Sequence, residues 1–139
     1  MNENDISKII VDCAYKIHIK IGSGLFESVY ECILEKYLTK RGLDVKRQVP
    51  MPMEIEDIQI DRAFIADLII NDKVIIELKS KTQITNTDKK RLLTYLKLTE
   101  YKLGLLINFG EALMKDGIKR IINGKIWKCE KVLELQSHL

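Results

Sequence analysis

The chain has little of what would take it outside the ordinary soluble class. No run of eighteen apolar residues occurs, which excludes a membrane-spanning helix. Cysteines number three (Cys13, Cys32, Cys129), an odd count with no close pair, so a disulfide framework is not expected and the thiols read as small apolar side chains of a reduced, cytoplasmic protein. The opening Met1-Asn2-Glu3-Asn4-Asp5 is acidic and polar, the wrong chemistry for a signal peptide. No internal repeat and no Gly/Ser/Pro-rich linker divides the 139 residues, so residues 1–139 are read as one domain. Two histidines, His18 within a predicted helix and His138 in the tail, leave no zinc pattern; His18 reads as a surface or boundary residue.

What is present is 46% apolar and 31% charged, enough to close one ordinary core. The net charge of +3 is too small to mark a nucleic-acid binder in bulk, but it is unevenly spread. Between Lys79 and Lys102 lie seven basic residues and two acids, a local +5 against −2 for the rest. Such a segment is either a solvated helix face or a surface that meets phosphate.

Asn4 or Asp5 can cap a first helix, which carries Ile6, Ile9, Ile10, Cys13, Ile17 and Ile21 at helical spacing and breaks at Gly22-Ser23-Gly24. A second helix has Phe26, Val29, Tyr30, Ile33, Leu34 and Tyr37 as its buried stripe and ends near Gly42. Val45–Met53 reads as an extended edge or bent segment because of Pro50 and Pro52. Ile58–Ile70 and Val74–Lys79 read as strands around Asn71-Asp72-Lys73. Thr85, Asn86 or Thr87 caps a third helix bearing Leu92, Leu93 and Leu96, and the apolar run Leu103–Phe109 is a central strand parallel to Val74–Lys79. Ile118–Ile122 reads as a further strand, Asn123-Gly124 as a turn, and the tail as helix or strand. The order ααβββαβ plus a C-terminal extension makes an α/β sandwich.

Two carboxylates stand out on apolar strands. Asp67 is isolated within Phe64–Ile70, and Glu77 shares one strand face with Lys79 in Val74–Lys79. A lone buried carboxylate costs several kcal/mol, so two on neighbouring strands call for a cation. A two-residue hairpin loop sets Asp67 opposite Ile76 and away from Glu77; a three-residue loop sets it directly opposite Glu77. The second register is adopted, because the first strands both charges on opposite faces. The turn is imperfect, since Lys73 occupies a position that prefers Gly or Asn. Oxygen-only ligands then select Mg²⁺ or Mn²⁺, with positions left for water and a phosphate oxygen. Lys79 would hold the attacking water or neutralise the scissile phosphate. The plain structural reading of Glu77 and Lys79 is a cross-strand ion pair.

Asp67, nine residues, then Glu77-Leu78-Lys79 resembles the core motif of the PD-(D/E)XK nuclease superfamily. Gly24-Leu25-Phe26-Glu27-Ser28-Val29-Tyr30 is similar to the G-x-x-E-x-x-Y signature of a bacterial and archaeal family within it. The resemblance implies a restriction-endonuclease-like fold, a central mixed sheet flanked by helices. It also implies Asp67, Glu77 and the Leu78 carbonyl as metal ligands, Lys79 as catalytic lysine, and Glu27 as a helix-borne glutamate at the metal; the plain reading of Glu27 is a first-turn glutamate favoured by the helix dipole. Tyr30 reads as core packing. RecB-like relatives carry Gln four residues before a Tyr; here Tyr95 matches and Arg91 departs. With Lys81, Lys89 and Lys90, these two are the expected nucleic-acid contacts.

Three functions compete on this basis. The first is a Mg²⁺-dependent nuclease acting on DNA, or RNA, by metal-activated water. The second is a non-catalytic nucleic-acid-binding module. The third is an interaction subunit, a homodimer formed through Ile126, Trp127 and Val132.

Overall fold

The computed structural model describes residues 1–124. It contains α1 (Glu3–Ile21), α2 (Glu27–Lys40), β1 (Val45–Ile55), β2 (Ile58–Ile70), β3 (Val74–Lys79), α3 (Asn86–Lys97), β4 (Leu103–Asn108), α4 (Met114–Gly117) and β5 (Ile118–Ile122). The first helix starts two residues earlier than its composition suggested. Asn2 is the N-cap, and its side chain exchanges hydrogen bonds with Asp5 in a capping box. The third helix is capped by Thr85, which forms the same reciprocal arrangement with Asp88.

One mixed sheet runs in the order β1-β2-β3-β4-β5. Its single parallel pair is β3–β4, because α3 carries the chain back over the sheet between them; all other pairs are antiparallel. Two apolar layers flank it. Ile6, Ile10, Ile17, Tyr30, Leu34 and Leu38 of α1 and α2 pack on Leu68, Ile76, Leu78 and Leu105. On the other face Leu92 and Leu96 of α3 pack on Ile69, Ile75 and Leu106. Gly104 permits that second packing: a Cβ there would lie 3.0 Å from the Leu92 side chain. This is the restriction-endonuclease-like sandwich.

The β2–β3 hairpin adopts the three-residue register. Ile70 pairs with Val74 and Leu68 with Ile76. Asn71 and Asp72 both lie at φ 52°, and the Lys73 N–H donates to the Ile70 carbonyl at 2.9 Å. The left-handed positions are therefore the first two of the loop, occupied by residues that tolerate them, and Lys73 needs no special conformation. The Asn71 side chain also accepts from the Asp44 N–H, fixing the loop against the entry to β1.

Three local expectations are corrected. Phe26 is 82% exposed and Val29 is exposed too, because Phe26 caps α2 from outside and both point off the sheet. His18 is buried, with Nε2 on the Glu111 carbonyl at 2.9 Å, so it belongs to the core. Ile126, Trp127 and Val132, the expected dimer contacts, lie outside the described residues.

Candidate active site

The sheet opens where the two acids sit. β2 pairs with β3 only as far as Leu68↔Ile76, then continues alone beside β1. At the next step Asp67 Oδ2 accepts the Leu78 N–H at 2.8 Å, so a carboxylate replaces the backbone carbonyl that would have continued the ladder. Glu77 stands opposite, on the face that also holds Ile75, Leu106 and α3. Its Oε1 is buried and has no hydrogen-bond partner. Burial, and behind it the charge of Asp67, push Glu77 up to about 8. Burial raises the Asp67 carboxyl as well, opposed by the Leu78 N–H. Neighbouring Lys79 acts on both in the opposite direction, favouring the ionised forms.

Glu77 and Lys79 face a cleft of about 10 Å³ closed by Asp88, Arg91, Leu92, Tyr95 and Leu106. That is room for one water-sized group. The Tyr95 ring is fixed by stacking on Phe64, with ring centroids 3.8 Å apart. The end of β3 is held by Asn108, fully buried, which accepts from the Lys81 and Gly110 N–H groups and donates to the Lys81 carbonyl. Backbone contact is so close there that a Cβ on Gly110 would fall 2.0 Å from the Lys81 carbonyl oxygen.

The helix-borne glutamate beside the pair is Glu31, one turn beyond Glu27. Glu31 is 5% exposed, bound by Arg47 at 3.0 Å and by Gln48 Nε2 at 2.6 Å. The same Gln48 nitrogen reaches Asp67 Oδ1 at 3.3 Å, so one amide bridges the two acids. Gln48 does so from φ 49°, a conformation uncommon for a residue with a side chain, at a position unpaired within the β1–β2 ladder. Glu27 is exposed and no hydrogen bond links it to Asp67 or Glu77; it lines a shallow hollow with Phe26 and Ser80. The two glutamates share a helix face, but Glu27 lies a full turn nearer the start of α2, so only Glu31 comes alongside Gln48 and Asp67. No sequence signal set Glu31 apart: by helical spacing it falls outside the Phe26–Tyr37 stripe, and its burial depends on how α2 lies on the sheet. Nothing local signalled Gln48, since its role depends on a strained backbone.

The Gly24–Tyr30 segment acts as a clamp. Tyr30 is buried and stacked on Phe109, and its hydroxyl donates to the Gly22 carbonyl and accepts from the Leu25 N–H. Ser80 then donates to the Leu25 carbonyl at 2.6 Å, tying this loop to the end of β3.

The expected nucleic-acid contacts divide. Arg91 and Tyr95 reach the cleft. Lys81 is drawn to buried Asp88 at 2.6 Å, which occupies its charge locally. Lys89 turns toward a separate groove at the β5 edge, and Lys90 is exposed. Leu78 gives its N–H to Asp67 and buries its side chain in the core.

A model of the PD-(D/E)XK nuclease superfamily matches residues 4–121, and the chain belongs to that superfamily. No curated protein and no solved structure matches it. Members of the superfamily are generally nucleases that use divalent metals. The donors here fit such an ion. Two carboxylates from adjoining strands provide only oxygen, and one buried oxygen lacks a partner. Among the described residues no third His, Cys, Asp or Glu joins them directly.

Proposed function

We propose that the protein is a Mg²⁺-dependent phosphodiesterase that hydrolyses DNA. The observation that carries the proposal is the unpartnered, buried Oε1 of Glu77 beside Asp67, on the strand face it shares with Lys79. Asp67 and Glu77 would hold the ion, with the Leu78 carbonyl as a further donor. When bound, the ion supplies Lewis acidity at the scissile phosphate and cancels the repulsion between the two acids. Asp67 is oriented by the Leu78 N–H and by Gln48, so its oxygens are set before substrate arrives. Lys79 places an ammonium where negative charge grows on the phosphate, or orients the attacking water. Arg91 stands at the cleft mouth, where its guanidinium can hold a neighbouring phosphate. Glu31 belongs to the same unit through Gln48, as a positioning residue for Asp67.

The test is cleavage of single- and double-stranded DNA with Mg²⁺ or Mn²⁺, comparing the native chain with Glu77→Gln and Lys79→Ala. The expected outcome is metal-dependent cleavage lost in both variants while their far-ultraviolet spectra are unchanged. Binding without cleavage, lost with added salt but untouched by Glu77→Gln, would instead identify a non-catalytic binding module.

A further inference from the structure

Among the described residues Arg120 has no anionic partner. It lies on β5, and its guanidinium turns onto α1, where Nη1 donates to Ser7 Oγ at 2.8 Å and Nη2 to Asn4 Oδ1. Both acceptors are neutral. Its Nε is buried without any partner, and among the described residues no carboxylate lies within ion-pair distance. Burial draws its pKa below the ordinary arginine range, the sign of a cation in want of a counter-charge.

The groove that Arg120 lines has a volume of about 1040 Å³ and runs past the β5 edge from α1 to α3. Lys8, Lys89, Lys115 and Lys119 also line it, and among the described residues none of the four is paired with a carboxylate. Among the described residues Asp12 is the one acid in the lining, and Lys16 and Arg41 already bind it at 3.0 and 2.7 Å. Tyr15 and Ile118 contribute apolar wall. A cationic floor and rim beside apolar surface, in a cavity of small-molecule size, suit a ligand with an anionic end and a flat apolar body. A track for a single strand would pair the charges with several aromatic platforms for successive bases, whereas among the described residues Tyr15 is the one aromatic in this lining.

We propose that this groove binds a free nucleotide, its phosphates compensating Arg120 and the lysine rim and its base lying on the Tyr15 side. The site is separate from the Asp67–Glu77 centre. The two meet only on α3, where Lys89 turns to the groove while Asp88, Arg91 and Tyr95 turn to Glu77. The proposal therefore stands without the nuclease reading.

Isothermal titration of the full chain in chelator with ADP tests it, with inorganic pyrophosphate and a short oligothymidylate as further arms. ADP is expected to bind at a single saturable site, and pyrophosphate about tenfold or more weakly, for want of the base. The double variant Lys8→Ala/Lys119→Ala should weaken ADP about tenfold or more at unchanged melting temperature, and Arg120→Met should abolish binding. Glu77→Gln should bind ADP like the native chain, which separates this site from the other. Should Arg120→Met fail to fold, because it ties β5 to α1, the lysine pair decides the matter alone. No binding at millimolar ADP overturns the proposal. So do pyrophosphate as tight as ADP, oligothymidylate binding in place of ADP, or ADP affinity indifferent to the lysine variant.

Discussion

Glu77→Gln should stabilise the metal-free protein, and increasingly so as the pH rises. The native carboxyl sits at about 8 in the fold and at 4.5 when exposed. A group whose folded pKa is raised keeps its proton more tightly in the folded state. Its contribution is intact below 4.5 and is lost as the pH climbs through about 8. Each pH unit in that window costs about 1.4 kcal/mol, so the full loss has a ceiling of about 5 kcal/mol, lowered by whatever water enters the cleft. Glutamine is isosteric with the protonated acid and does not titrate. The assay is urea denaturation in chelator at intervals from about pH 5 to about pH 9. Taking the difference between native and variant cancels the ionisable groups that are not coupled to Glu77, leaving its own titration and its coupling to Asp67 and Lys79. The gap should be small at the acid end and reach several kcal/mol at the alkaline end. Millimolar Mg²⁺ should then raise the native midpoint at alkaline pH and leave the variant nearly unmoved. A pH-independent gap would refute the burial of that charge. Equal Mg²⁺ stabilisation of both proteins would place the ion elsewhere.

Asp88 gives the opposite sign. Burial would raise its carboxyl, but the Lys81 ammonium and the Thr85 N–H outweigh it and hold the group at about 2. That stability is present above 3.8 and lost as the pH falls through about 2, so Asp88→Asn should cost about 2 kcal/mol near neutrality and flatten the acid limb of the denaturation profile. Asn108→Ala removes three hydrogen bonds and leaves the Lys81 backbone unsatisfied; chemical denaturation should show a loss of about 3 kcal/mol. Tyr30→Phe keeps the stacking on Phe109 but frees the loop it clamps. A cost of about 1 kcal/mol and faster hydrogen exchange at the Leu25 amide should accompany it.

Much of the fold was legible without coordinates because its signals are local or periodic. The helical spacing of α1, a cap among Thr85, Asn86 and Thr87 (Thr85 in the structure) and the unbroken apolar run of β4 each read correctly. Phe26 and Val29 misled because periodicity shows which residues share a face of a helix, not how far the sheet extends beneath it. The Asp67–Glu77 pair was legible for an energetic reason: two isolated acids on apolar strands are costly unless they meet, and only one hairpin register lets them.

By itself, then, the sequence determined α1, α2 and α3, though not the short α4, together with the strand alternation and the hairpin register that brings Asp67 toward Glu77, since each depends on periodicity or on neighbours along the chain. Tertiary structure alone decided which glutamate of α2 stands at the opening, that a strained Gln48 joins it to Asp67, and that Arg120 meets only neutral acceptors among the described residues. Those outcomes depend on distances between segments far apart in the chain, and no local pattern encodes them.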